Sequence, residues 1–276
     1  MLSEDQINEI YAGIYYGTIT LYNLPVDLYE FTASTLQSDV YKGWGKSLHK
    51  AEVASQEWLL LNDFRENINV FSGAKTFDQI KESQRLILES KGILRPFNDY
   101  LTDVKELNAL YNETWLRTER DTALSQAQNA RIWTDFEGMK EDFPYLVYRT
   151  QKDVRVRHSH RALEGFTAKV DDPYWSSIMP QNAFNCRCFV EQLTEGERST
   201  KEWEQQRVKE NNEGLSDKEK IKSLKDVPDK LFNYNSAKDR IIFKTEGVGS
   251  HPYMKVDKAF EVLKVDNFGM DINFGL

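Results

Sequence analysis

The apolar positions of the first 136 residues fall mostly at helical spacing. Ser3 followed three residues later by Gln6 is a capping-box pattern, and Ile7, Ile10, Tyr11, Ile14 and Tyr15 then form one stripe, which predicts an amphipathic helix over residues 3–22. Leu24-Pro25 breaks it. Pro25 opens a second helix whose Leu28, Tyr29, Leu36 and Val40 lead to Gly43 and Gly45 as stop signals. Residues 51–70 are apolar but ambiguous, since Trp58-Leu59-Leu60-Leu61 suits a buried helix or a short strand. Ser72-Gly73-Ala74 predicts a turn, and Thr76 with Gln79 a new capping box leading through Phe77, Ile80 and Ile87 to Gly92. Pro96 then opens a helix with Phe97, Leu101, Val104, Leu107 and Tyr111 on one stripe. A last helix, over residues 113–136, spaces Leu116, Ala123, Ala127 and Ala130 along one side, small enough for a neighbouring helix to pack closely. Its mixed-sign face of Arg117, Glu119, Arg120, Asp121, Gln126, Gln128 and Arg131 reads as a solvated one.

The period changes after Asp142-Phe143-Pro144. Tyr145 and Val147, then Val154 and Val156, predict strands flanking a turn at Gln151-Lys152-Asp153; continued alternation would put Val154, Val156, His158 and His160 on one apolar face. Glu164-Gly165 is a turn, residues 166–170 a short strand, and Asp171-Asp172-Pro173 the capped start of a brief helix carrying Tyr174, Trp175, Ile178 and Met179. Residues 186–193 read as a strand with Cys186, Cys188 and Val190 on one face. The fold class expected is α+β, a mostly helical N-terminal half followed by a small strand-containing motif domain. Residues 195–230 hold ten acidic and nine basic residues with few apolar ones, which predicts an exposed helix or linker. Residues 231–276 are apolar enough, through Leu231, Phe232, Tyr234, Ile241, Ile242 and Phe243, to pack back on the body.

Composition narrows the functional classes. With 40% hydrophobic residues the chain can build a core, and a net charge of -8 argues against a surface devoted throughout to nucleic acid. No stretch approaches the ~20 apolar residues of a membrane helix. The first residues place acids where a signal peptide has its basic region, so synthesis in the cytoplasm is expected. Two cysteines cannot make a disulfide framework, and their Cys-Arg-Cys spacing strains a bridge between them, which fits a reducing compartment.

Chemistry concentrates between Arg155 and Cys188. His160, Cys186 and Cys188 are three candidate ligands of a structural zinc, with His158, Asp171, Asp172 or His251 as a fourth, none at a spacing that selects it. On an extended strand, however, Cys-x-Cys holds the sulfurs roughly 7 Å apart, too far for one tetrahedral ion unless the chain bends. The alternative is a pair of cysteines packed as small hydrophobes beside a hydrogen-bonded core histidine. A metal-dependent or thiol hydrolase centred on His160, Cys186 and Cys188, with Asp172 or Asn185 orienting the histidine, is a second functional reading, though no glycine-rich elbow marks a nucleophile. Capping already explains Asp172. Arg149, Lys152, Arg155, Arg157 and Arg161 stand against one acid, Asp153, a local excess of four positive charges that makes DNA a candidate contact. Pairing of Arg157 and Arg161 with Glu164, Asp171, Asp172 or Glu191 is the structural alternative.

The run from Asp142-Phe143-Pro144-Tyr145 through Asp153-Val154-Arg155-Val156-Arg157, His160, Leu163, Gly165, Asp172-Pro173-Tyr174-Trp175, Pro180, Asn182 and Cys186-Arg187-Cys188 resembles the phage Mu protein F-like family of minor head proteins. Its order is an Arg-x-x-His, a Leu, an Asp-Pro-aromatic-Trp, a Pro and Asn, and a closing Cys-Arg-Cys, which makes Arg157, His160, Asp172, Pro173, Trp175, Pro180, Asn182, Cys186, Arg187 and Cys188 the motif residues. Met179-Pro180 and Ala183-Phe184 stand where many relatives have Pro-Pro and Gly-Trp. The resemblance implies a protein of head morphogenesis, present in few copies in the virion and assembled in the host cytoplasm. It would associate with portal and capsid proteins through helical faces before residue 136, and with DNA as a candidate partner, without catalysis, small-molecule substrate or membrane. It divides the chain into a helical region (1–112), the Mu F-like domain (113–194), the charged linker (195–230) and the C-terminal segment (231–276).

Overall fold

The structure, a computed structural model, describes residues 2–198 and 229–254. The expected linker falls outside the described residues from 199 to 228, as does the C-terminal segment from 255 on. The architecture is α+β, helical as far as Gly138 and then built on one small antiparallel sheet. Contacts group the chain into two compact units, one from residues 2–39, 65–120 and 251–254, the other from residues 40–64, 121–198 and 229–250.

Helix starts follow the local chemistry. Helix α1 (Glu4–Tyr16) is capped as its sequence predicts, the Ser3 hydroxyl accepting from the Gln6 N–H at 3.2 Å and the Ser3 N–H donating to Gln6 Oε1 at 3.0 Å. Its last residue, Tyr16, comes six residues before the predicted end, and Gly17 closes it at φ 80°. Helix α2 (Val26–Trp44) follows Pro25 and α4 (Phe97–Ala109) follows Pro96. Gly45, at φ 86°, ends α2 by donating its N–H to the Tyr41 carbonyl at 3.0 Å; Gly43 is still inside the helix.

Helix α3 (Gln56–Arg85) overturns two expectations. It runs unbroken through Ser72-Gly73-Ala74 and through the Thr76 capping-box pattern. Phe64, Ile68, Phe71, Ala74, Phe77 and Ile80 are buried, but so are Asn67, Ser72, Lys75, Thr76 and Gln79. From Asn67 to Ile80 the helix is covered on every side, so it shows no polar stripe there, and its interior polar residues imitate caps and turns.

In the first unit, the helix that begins with α4 continues without a break through one turn of π-helix at Leu110–Trp115 into α5 (Leu116–Gly138). The Leu116 N–H reaches back to the Tyr111 carbonyl, and the same carbonyl accepts from Lys75 Nζ at 2.8 Å. Lys75 also pairs with Glu119, and the Tyr253 hydroxyl donates to the other Glu119 oxygen at 2.9 Å. Glu119 and Lys75 are almost wholly buried, so the face of α5 predicted to be solvated holds an internal charge pair. Burial pushes the Glu119 carboxyl up and pulls the Lys75 ammonium down, each opposed by the charge of the other.

The second unit is built on the sheet, in the order β2-β1-β3, with β1 (Tyr145–Arg149) central and antiparallel to both β2 (Thr167–Lys169) and β3 (Phe189–Leu193). Leu146 faces Ala168 on one side and Gln192 on the other. Leu146, Tyr148 and Val190 pack with Trp133 and Phe136 of α5, with Leu163 and Phe166, and with Trp175 and Ile178 of α7 (Trp175–Ile178). Gln126, also on the face predicted to be solvated, is buried: its amide donates to the Tyr234 hydroxyl at 3.0 Å and its oxygen accepts from Ser236 at 2.7 Å, at the start of the short helix α8 (Ser236–Asp239). The small stripe on α5 does bring a helix close, since a Cβ built on Gly43 would lie 2.1 Å from the Leu124 carbonyl oxygen and 3.2 Å from the Ala127 Cβ.

Replacing Gly43 with Ala therefore forces two backbones apart. We expect Gly43→Ala to lower the unfolding free energy by about 1–3 kcal/mol, read from urea midpoints at unchanged m-value. Gly138→Ala, with nothing within 4 Å of the new Cβ, should be neutral or stabilising by up to about 1 kcal/mol.

A second expectation concerns pH. His251 packs edge-on against the Phe71 ring at 4.9 Å, and burial, with Lys75 adding to it, pulls its pKa down from 6.5 to about 4. The unfolded chain then binds the proton more readily than the folded one, so stability is lost as pH falls from 6.5 toward 4. The loss is on the order of 3 kcal/mol at the acid end, and urea titrations across that window should show it in the wild type and not in His251→Phe.

Candidate metal centre and the basic loops around it

The strand expected over residues 154–160 does not form. β1 has both edges occupied by β2 and β3, which leaves no ladder for a further strand beside it. Val154 is 91% exposed, and His158–Arg161 is instead a single helical turn, α6. On a helix His158 and His160 point apart, so His158 is exposed, while His160 and Leu163, three residues on, share the buried face.

The two cysteines precede β3 rather than lying in it. Ala183 to Cys186 is a turn closed by the Cys186 N–H on the Ala183 carbonyl at 3.1 Å, with Asn185 in the left-handed region at φ 58°. Asn is among the few residues that adopt this conformation readily. The bend overturns the separation expected of an extended Cys-x-Cys. Cys186 Sγ lies 3.6 Å and Cys188 Sγ 3.7 Å from His160 Nδ1, and the three atoms all lie within 4.8 Å of one another. Among the described residues this trio is the His, Cys, Asp or Glu group whose ligand atoms converge in this way. The other proposed ligands do not join it: Asp172 caps the Tyr174 N–H at 2.9 Å, Asp171 pairs with Lys140 at 3.0 Å, and His251 packs in the first unit.

The electrostatics separate the two sulfurs. The Cys188 thiol donates to the Cys186 sulfur, His160 adds a second hydrogen bond, and the backbone N–H groups of Asn182 and Cys188 point at the same atom. Together they hold Cys186 well below the usual thiol range against the cost of burial. Cys188 is pushed up by its hydrogen bond to Cys186, by burial and by the neighbouring negative sulfur. Beneath them the buried Tyr148 hydroxyl donates to Asn182 Oδ1 at 2.7 Å, and the Asn182 amide donates to the Met179 carbonyl at 3.3 Å. Tyr148 carried no sequence signal beyond its place in an apolar strand.

The remaining motif residues tie loops together. Trp175 Nε1 donates to the Lys169 carbonyl at 2.9 Å from a fully buried ring, Pro180 is buried, and Pro173 stands exposed before α7. Arg157 donates to the Phe184 carbonyl at 2.7 Å, and Arg187 pairs with Asp153 at 2.8 Å while its carbonyl accepts from Gln151 at 3.0 Å. Of the other basic residues, Arg149 pairs with Glu191 at 2.8 Å and Glu164 at 3.6 Å, Lys152 with Glu164 at 3.5 Å, and Arg161 donates to the Val156 carbonyl at 3.2 Å. The Arg155 side chain makes no ion pair among the described residues. Over the trio lies a shallow hollow of about 10 Å³, open to solvent and far smaller than the ~300–1,000 Å³ of small-molecule sites.

Comparison with known proteins falls on the same stretch. Residues 80–191 match the family described as Phage Mu protein F like protein. Among individual proteins, the Mu-like prophage FluMu F protein of Haemophilus influenzae is 42% identical over 82 residues, 30% of this chain and 19% of the relative. The protein of Escherichia phage Mu named "Putative capsid assembly protein F" is 36% identical over 52 residues, 19% of this chain and 12% of the relative. The match thus spans less than a fifth of the length of either relative. No solved structure matches the chain significantly. The ordered motif thus lies within the segment, residues 80–191, over which this chain is similar to phage Mu protein F like proteins.

Proposed function

We propose that the chain is a minor head protein of a phage or prophage, acting in head morphogenesis by binding portal and capsid proteins and not by catalysis. The observation that carries this reading is the family match over residues 80–191, joined to a relative whose name is a capsid assembly protein. Two features of the site support it. Most motif side chains are spent on capping, on loop-to-loop hydrogen bonds and on burial, and the hollow over the trio is too small for an ordinary substrate. The hydrolase reading would need a site of that kind. Its place of action would be the virion, with assembly in the host cytoplasm; among the described residues no helix is long and apolar enough to cross a membrane. Portal or capsid contact would fall to the helical faces before residue 136. DNA contact would fall first to Arg155, exposed and without an ion pair among the described residues, and then to Lys152, 69% exposed at its side chain though paired with Glu164; Arg149, Arg157 and Arg161 are engaged by carboxylates and carbonyls.

Coexpression with the portal and major capsid proteins of the same phage, followed by affinity purification on the portal, tests the reading. We expect the full chain to copurify and to enter assembled heads in a small number of copies. Portal and heads recovered free of it would overturn the proposal.

A further inference from the structure

We propose that His160, Cys186 and Cys188 hold one zinc ion, whose role is to staple the turn before β3 to helix α6. This goes beyond the assembly reading and does not depend on it. The first support is dimensional. With Zn–S near 2.3 Å and Zn–N near 2.0–2.1 Å, a tetrahedral ion places a ligating sulfur and nitrogen about 3.6 Å apart. The two sulfurs lie 3.6 and 3.7 Å from His160 Nδ1. An ordinary packing of two thiols against a core histidine has no reason to put both sulfurs on the same ring nitrogen, since that atom makes one good hydrogen bond in its plane.

The second support is the way the cradle is built. Three separate devices aim the ligands: the single turn of α6 buries His160, the left-handed Asn185 swings Cys186 inward, and the start of β3 fixes Cys188. The N–H groups of Asn182 and Cys188 point at the Cys186 sulfur, an arrangement that holds a thiolate ligand in orientation from outside the coordination shell. Two sulfurs and one imidazole nitrogen are a donor set that selects zinc over magnesium or calcium. On binding, the remaining thiol proton of the pair goes to solvent and both sulfurs bond the ion as thiolates. The two thiolates balance the two charges of the metal, so the half-buried site stays neutral. The hollow above the trio opens to solvent, from which a water takes the fourth position.

The test uses the full-length, tag-free protein, expressed in zinc-supplemented medium and kept under a non-chelating reductant. Plasma mass spectrometry should find about one zinc per chain. After chelation and removal of zinc, titration of the wild-type protein with Co²⁺ should give thiolate-to-cobalt charge-transfer absorption and the intense visible bands of tetrahedral cobalt, saturating at about one equivalent. Zinc should displace both and raise the melting temperature. Cys186→Ser and Cys188→Ser should each lose the zinc, while Arg155→Ala, at the rim of the hollow, should keep it. Because the cobalt spectrum is read on the wild type, a cysteine variant that fails to fold leaves the test intact. Folded protein without charge-transfer absorption, a different metal at full occupancy, or full zinc content in a well-folded Cys186→Ser would each overturn the proposal.

Discussion

A carboxylate and an ammonium taken out of water must find each other, and in the first unit Lys75 and Glu119 do. Neither side chain has more than a few per cent of its surface exposed, and removing one partner of such a pair typically costs about 3–5 kcal/mol. The geometry of that unit can be read as the means of satisfying them. Glu119 uses one oxygen for Lys75 and the other for the Tyr253 hydroxyl; Lys75 spends a further hydrogen on the Tyr111 carbonyl. That carbonyl lies on the π turn, where the ladder reaches five residues back instead of four and the helix is locally wider. Phe71 and Tyr111 close over the Tyr253 ring at 5.6 and 6.0 Å, excluding water from the pair. An apolar pair of equal volume would avoid the desolvation cost, whereas removing only one partner strands a buried charge.

The second unit solves a different problem. Between β1 and β3 the chain makes two long excursions, through α6 and through α7, neither long enough to be stable by itself. The ordered motif supplies the missing fixings: a Trp ring in the core, an Asp cap, an Asn bonded to a buried Tyr, arginines reaching across to carbonyls, and a His facing two sulfurs. In this chain the motif shared with phage Mu protein F like proteins is what secures the loops.

What the sequence disclosed, and what it concealed, follows from where the information is stored. Ser3, Pro25 and Pro96 act on their own neighbours, so the starts of α1, α2 and α4 were legible. Ala123, Ala127 and Ala130 were too, since small residues at helical spacing have few other uses. Helix α3 was misread because tertiary partners satisfy its polar residues: Lys75 looks exposed until Glu119, 44 residues on, is placed beside it. The alternation from Val154 to His160 suggested a strand folding back on β1, but both edges of β1 are taken by β2 and β3, a property of the whole sheet. At the site, the residues were legible as a group while their geometry was not. The separation of the sulfurs depended on a backbone angle at Asn185, a residue permissive of that bend without requiring it.

The position of Tyr253 has a consequence for the order of events at the ribosome. The hydroxyl that completes the Glu119 shell stands 134 residues after the carboxylate it serves, and the unit to which both belong is drawn from three separate parts of the chain. While the intervening residues are being synthesised, Glu119 and Lys75 can meet only in a pocket with an open side, where water competes for both. Closure of that pocket has to wait until residue 253 has left the exit tunnel. Lys75 and Glu119 thus reach their final packing only after residue 253 is made, and a nascent chain halted before that point would keep a hydrated, loosely held pair where the finished unit has a dry one.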